Sequence, residues 1–529
     1  MLYVSIIVEL LRARPALAVW IAALMQAAVW ALVPTLFYAG PPGDVPMVLA
    51  VGHEFQFGSE LGPPLAFWLA ELAFRLAGGQ MFGVYVLAQA CVVATYWTVF
   101  VLGRAIVGAQ HAALAVLLMA GIFAFTVPTP EFGPTVLTMP LWAVTLLTYW
   151  RAVADDQRKY WIAFAIECVL LLLTTYAALV LIGALALFTG VNKRARDMLR
   201  FPDPWIASVA VAFVIVPHLV WVARSGAGLM PVLGRLRAPE AVADNAIAWL
   251  QQMALILAAH AGLLLLVAAV AGWLRTRHEP APVIMRPPVD DFGRQFVYAV
   301  AIVPALAATV VAVLVGSPGP VGGFAPLVIF SGLAVVVAAG DGIKLTHQHA
   351  GIAVWFGLLV VPPILVVVAL LVTPWLAVDL NANLPAKPIA LFFSESYQRR
   401  VGLPLPIVAG DPRTAGLIAL GAPSRPRLYL PATPERSPWV TLSDIRTKGA
   451  IVVWPTTDTG GAPPAVIRER FPDLVPEVPR SFDRRVQGQL GPLRIGWALI
   501  RPQGQPVDVS PPGSAPPDVP PLGPIAPPP

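Results

Sequence analysis

Eleven apolar runs constrain this chain more than any other feature: roughly 16–38, 82–102, 110–127, 134–150, 160–173, 175–189, 205–223, 249–274, 296–315, 324–340 and 351–373. A helix that crosses a bilayer needs about 20 mostly apolar residues. Charged residues are only 12% of the 529, against about 25% in an ordinary soluble domain. Too few charges are present to coat a 56.3 kDa globule. Composition therefore excludes a disordered chain and a soluble enzyme of normal surface chemistry. It predicts a polytopic α-helical membrane protein with about 11 transmembrane helices. The two cysteines, Cys91 and Cys168, lie inside apolar runs, so no disulfide framework or cysteine metal site is predicted.

The pair 160–173 and 175–189 reads in two ways. Thr174-Thr175-Tyr176 is a tight turn, or a polar patch inside one long helix that would put everything after it on the other side. Charge favours the turn, because cytoplasmic loops are enriched in Lys and Arg. With the N-terminus inside, the inner segments hold Arg12, Arg14, Arg104, Arg151, Arg158, Lys159, Lys193, Arg194, Arg196, Arg200, Arg275, Arg277, Arg286, Arg294 and Lys344. The outer loops before residue 374 hold only Arg75, Arg224, Arg235 and Arg237. The net charge of +6 is thus a topology signal rather than a nucleic-acid one. The first apolar run is too long, and lacks the small-residue site, for a cleaved signal.

Two outer segments are long. The first, 39–81, contains the stretch 64–78 (PLAFWLAELAFRLAG), too short and polar to cross, which reads as a helix lying at the membrane surface. The second is 224–248. Residues 1–376 form the membrane unit. From 377 to 501 the pattern alternates between short apolar strands (405–409, 427–430, 451–454, 493–500) and helices (385–401, 413–420), predicting a small α/β domain on the periplasmic side. The tail 502–529 is so rich in proline that an extended, disordered segment is expected.

The densest chemical signal is Tyr38-Ala-Gly-Pro-Pro-Gly-Asp44, followed by Gly62-Pro-Pro-Leu65 and Trp68. A carboxylate on a Pro/Gly turn at the membrane boundary can reach a lipid headgroup and a polar acceptor together; the bland alternative is a solvated loop aspartate. His53, Glu54 and Glu60 share that loop as candidate ligands or donors, or as ordinary polar loop residues. Arg224, Arg235 and Arg237 are the only basic residues of the second loop and could equally snorkel to headgroups. Within the spans, Glu167, His218 and His260 read as structural.

Asp44, the gap to Pro63-Pro64-Leu65, and Phe67-Trp68 resemble the first outer loop of glycosyltransferase family 39. That family includes protein O-mannosyltransferases and lipid A aminoarabinose transferases, all of the GT-C fold. Phe82-Gly83-Val84-Tyr85, Leu102-Gly103-Arg104 and Leu171-Leu-Leu-Thr-Thr-Tyr176 continue the likeness over the first 190 residues. The sequence departs from the family pattern at Val45, Gly62 and Thr175, and Glu131 stands near a family acidic position without matching it cleanly.

The resemblance implies a GT-C-like fold and transfer of a sugar, with inversion, from a polyprenyl-phosphate donor. The acceptor would be an envelope glycan, lipid or protein at the periplasmic face of a bacterial inner membrane. It makes Asp44 the catalytic base, with His53, Glu54, Glu60, Arg224, Arg235, Arg237 and Tyr176 as substrate-binding candidates. Membrane lipid is an expected partner and nucleic acid is not. The resemblance makes no cofactor certain and leaves a divalent metal open, without residues that support it. The rival classes are a flippase of a lipid-linked sugar and a non-catalytic relative.

Overall fold

The computed structural model describes residues 2–59, 61–225, 242–273, 283–316, 325–457 and 460–503. The chain starts with a helix the sequence reading did not separate, α1 (Leu2–Ala13), before α2 (Pro15–Phe37). Pro15 sits at the start of α2, where its missing N–H has no partner to lose and its φ is already helical.

Among the described residues, six helices are long and apolar enough to cross a membrane: Pro15–Phe37, Met81–Val107, Pro134–Val153, Asp203–Arg224, Asp291–Leu314 and Gln348–Leu376. Two bent pairs raise the number to as many as eight: Ala178–Val191 with Lys193–Arg200, at 93°, and Asn245–Ala259 with Ala261–Val270, at 42°. The other apolar runs are the shorter helices Ala109–Met119, Tyr160–Leu172 and Pro326–Ala338. Six to eight of the expected eleven spans thus meet this length and apolarity among the described residues. Every run is helical, but length decides crossing: 13 residues rise only about 20 Å, short of a hydrocarbon core of ~30 Å. The protein is a multi-pass membrane protein.

At 173–177 the chain turns, so 160–189 is two helices. Thr174 Oγ1 donates to the Leu170 carbonyl at 2.8 Å, and the Ala177 N–H to Thr175 Oγ1 at 3.1 Å. These hydroxyls satisfy backbone groups that a helix end leaves open. The Leu173 carbonyl accepts the Leu65 N–H at 2.9 Å, which puts this turn beside the start of α4 (Leu65–Leu76). Ahead of α4 lies α3 (Val45–His53). The two pack closely because position 52 is glycine; a Cβ there would strike the Phe67 carbonyl.

A two-stranded ribbon joins β1 (Val283–Met285) to β2 (Gly342–Lys344). The C-terminal unit holds a five-stranded sheet built from β3 (Ile407–Gly410), β4 (Arg427–Tyr429), β5 (Ala450–Pro455), β6 (Pro476–Phe482) and β7 (Leu493–Ile500), in the order β4-β3-β5-β7-β6. Its first three strands are parallel, and β7 and β6 add antiparallel. β3 is buried throughout and β5 nearly so, which is why both read as unbroken apolar runs rather than alternating ones. β6 carries Pro476 and Pro479, tolerated because it is an edge strand. The core of this unit gathers Ile389 and Phe393 with Val408, Ile418, Ile451 and Val453, and it includes Met47 of α3.

Candidate functional site

Asp44 is the N-cap of α3. An N-cap aspartate usually accepts from the next backbone amides. Here Val45-Pro46 follows, proline brings no N–H, and the Asp44 side chain caps nothing. The carboxylate instead stays exposed at the bundle's end. Beside it stands Glu131. Burial, and then the Asp44 charge, raise the Glu131 pKa above the usual carboxylate range. A neighbouring like charge disfavours the ionised form of a carboxyl group, and burial disfavours it further. Gly43, between them, has φ +49°, and a Cβ there would collide with the Glu131 carboxylate. Tyr38, at the end of α2, completes the group. Its phenol is pushed up to about 12 by burial and by Glu131, and its ring meets Tyr85 edge-on at 6.4 Å.

The segment carrying Glu131 is fixed from below by buried amides. Gln26 of α2 donates to the Phe125 carbonyl at 2.6 Å and accepts from Tyr96 at 3.0 Å. Gln89 donates to Thr129 Oγ1 at 2.9 Å, and that hydroxyl donates to the Thr126 carbonyl at 2.8 Å. Two glutamines inside apolar helices thus serve a loop, satisfying polar groups whose burial would otherwise cost free energy.

His53 and Glu54 do not face Asp44. They occupy the other end of α3 and pair elsewhere. Glu71 of α4, its side chain 1% exposed, accepts from Arg75 at 2.7 Å and from Arg425 at 2.6 Å, with His53 Nδ1 at 3.1 Å. Burial alone would raise the Glu71 pKa, but the bonds to His53 and Arg75 and the Arg425 charge hold it below the usual range. Glu54 receives Arg427 through three contacts between 2.6 and 3.0 Å. Nothing in the sequence sets Glu71 apart, because its partner Arg425 stands 354 residues away.

Arg224 ends the helix Asp203–Ser225 and is exposed. With Phe57, Pro217, Val220 and Trp221 it lines an open cleft of about 390 Å³. Tyr176 shares a hydrogen bond of 3.1 Å with His218, whose Nδ1 meets the Phe57 carbonyl at 3.0 Å. This relay ties the 173–177 turn to the segment at Phe57 beside that cleft. His218 therefore has the structural role read from the sequence, and Tyr176 supports the cleft wall. Glu60, Arg235 and Arg237 lie outside the described residues, as does most of the expected second loop.

Among the described residues no group of three or more His, Cys, Asp or Glu could hold a metal ion. Asp44 and Glu131 supply two carboxylates, too few by themselves for a protein-built cage.

The chain is thus a membrane protein with a paired-carboxylate site at one end of its helical bundle and an α/β unit packed beside it. Residues 62–221 match the family model of dolichyl-phosphate-mannose-protein mannosyltransferases. No curated protein sequence matches the chain. Among solved structures it is similar to ArnT from Cupriavidus metallidurans in the apo state, at 11% identity and TM-score 0.48, over 91% of this chain and 97% of that one. ArnT bound to undecaprenyl phosphate gives 11% identity and TM-score 0.40 over the same shares. The archaeal oligosaccharyltransferase AglB from Archaeoglobus fulgidus, in complex with an inhibitory peptide and a dolichol-phosphate, gives 14% and 0.30, over 78% of this chain and 55% of that one. The family match spans α4, the 173–177 turn and most of the helix leading to Arg224. The chain resembles the GT-C glycosyltransferases there, as the motifs from Gly62 to Tyr176 imply; Asp44 lies ahead of the matched segment.

Proposed function

We propose that this protein is a membrane glycosyltransferase that moves a sugar from a polyprenyl-phosphate carrier to a hydroxyl acceptor, with Asp44 as general base. The observation that carries the reading is the Asp44–Glu131 pair, held next to a segment that resembles mannosyltransferases of polyprenyl-phosphate sugars. The acceptor oxygen attacks the anomeric carbon as the bond from that carbon to the phosphate oxygen breaks. The acceptor proton passes to Asp44, and the polyprenyl phosphate leaves. A single displacement of this kind inverts the anomeric centre. Glu131, whose pKa burial and the Asp44 charge raise, is the second carboxyl group of the site. Arg224, at the cleft that Trp221 and Phe57 line, is suited to steady the departing phosphate, and Arg235 and Arg237 are proposed to join it. The Asp44 end of the bundle and the C-terminal unit are proposed to face the periplasm.

The test uses membranes containing the protein, supplied with polyprenyl phosphate carrying radiolabelled mannose or aminoarabinose. Label passing from carrier to a membrane acceptor, and lost in Asp44→Asn, supports the reading. Labelled carrier that changes leaflet but keeps its sugar overturns it in favour of a flippase. Transfer that survives in Asp44→Asn removes Asp44 from the chemistry.

A further inference from the structure

Asp44 begins a helix that packs on α4 at Gly52 and is met by the C-terminal unit at both ends and in the middle. At the near end, Asn381 Nδ2 donates to the Gly43 carbonyl at 3.1 Å. The Ala39 and Gly40 amides donate to the Ala382 carbonyl at 2.7 and 3.1 Å. In the middle, Met47 enters the hydrophobic core around Ile389, Phe393 and Ile418. The helix Pro412–Gly421 comes so close that a Cβ at Gly416 would stand 3.2 Å from the Pro46 Cβ. At the far end, Arg427, the first residue of β4, grips Glu54, the C-cap of α3. Arg425, two residues earlier, reaches Glu71 and through it His53, the last residue of α3. None of these contacts comes from a membrane span.

A nine-residue helix is a lever of about 13 Å. Isolated, it would be too short to hold its own geometry. Its orientation is therefore set by what it packs against.

We infer that the C-terminal unit is a working part of the transfer site, positioning the Asp44 carboxylate against Glu131 by clasping α3 through Asn381, Arg427 and Arg425. These three are positioning residues: none reaches the reacting atoms. The inference rests on Asp44 being the base. Its physical content is that loosening the far end of α3 displaces the carboxylate at the near end. A misplacement of about 1 Å costs on the order of a hundredfold in rate, while donor binding in the cleft at Arg224 stays intact.

The test compares the full-length protein with Arg427→Gln and with the reciprocal exchange Glu54→Arg/Arg427→Glu. Two readings are taken: backbone amide exchange over residues 45–53, and kcat and KM for polyprenyl phosphate carrying radiolabelled mannose or aminoarabinose. In Arg427→Gln, exchange across α3 should rise about tenfold or more. There, kcat should fall roughly tenfold to a hundredfold with KM within about twofold. The reciprocal pair should recover most of both. Faster exchange with unchanged kcat overturns the inference, because α3 would then move without consequence. Unchanged exchange overturns it too, because Arg427 would not be holding the helix. If Arg427→Gln does not accumulate, Asn381→Ala loosens the near end and is read in the same way. If the parent protein transfers neither sugar, the glycosyltransferase reading has failed, and amide exchange alone then decides whether the unit holds α3.

Discussion

Arg425 and Glu71 are 354 positions apart in the chain, and in the fold the guanidinium donates to the carboxylate at 2.6 Å. The carboxylate is almost fully removed from water, so it depends on its partners. Breaking a buried pair from one side typically costs about 3–5 kcal/mol, because the remaining charge is stranded. Arg425→Gln should therefore lower the melting temperature of the purified protein clearly at neutral pH. The sign of its pH dependence follows from the depressed Glu71 pKa. Such a group stabilises the fold above its ordinary range and loses that contribution as pH falls through the folded value. The gap between variant and parent should narrow on acidification. A gap that widens at low pH would mean that Glu71 is not the group Arg425 serves.

Glu131 has the opposite sign. Its pKa is raised by burial and by Asp44, so the fold is favoured while it keeps its proton and loses stability as pH rises through the raised value. Glu131→Gln imitates the protonated form. It should melt at the parent's temperature in acid and above it in mild alkali. If transfer needs the proton on Glu131, the parent's rate should decline over that same rise in pH, and the decline should vanish in the Gln variant. A variant less stable than the parent at every pH would contradict the account.

Gly43 separates the two carboxylates and has a left-handed backbone, φ +49°. An L-residue pays about 1–2 kcal/mol to sit there. The larger effect is steric, since a methyl group at this position occupies the Glu131 carboxylate's place. Gly43→Ala should cost a modest amount of stability but a large part of the transfer rate. A rate as high as the parent's would show that the pair tolerates being forced apart.

Which parts were legible in the sequence follows from how far each signal reaches along the chain. Asp44 stood out because a Pro/Gly turn directly follows a long apolar run. The 173–177 turn was legible as an alternative because its hydroxyls bond within four residues, and the charge pattern favoured it. Ala109–Met119, Tyr160–Leu172 and Pro326–Ala338 read as apolar runs in the sequence but form helices of 10–17 residues, because apolarity marks burial and says nothing of helix length. β6 escaped because Pro476 and Pro479 break the usual strand pattern, and only its place at the sheet edge makes them harmless. The grip on α3 had no local signal: His53 and Glu54 looked like loop polars, and Arg425 and Arg427 like the flank of a strand. Pairing of that kind is a property of topology and appears only once β4 is set against α3 and α4.

The most exacting prediction concerns Asp44 itself. Asn is nearly the same shape, so Asp44→Asn should insert and fold normally, and the contacts of α3 with Asn381, Arg427 and the core at Met47 are untouched. A side-chain amide accepts a hydrogen bond but cannot take the acceptor's proton. Losing a positioned general base typically costs about 10²–10⁴ in rate, so transfer should fall at least about a hundredfold, with KM for the labelled donor little changed. Removing Asp44 should also relieve Glu131 of one of the two causes of its raised pKa, leaving burial as the other. Glu131 should then titrate lower in Asp44→Asn than in the parent, read by infrared difference spectroscopy of its carboxyl band with Glu131→Gln as the assignment control. A lost rate with an unmoved Glu131 band would mean that Asp44 acts without coupling to Glu131. A shifted band with a retained rate would mean that the pair is real and the base lies elsewhere.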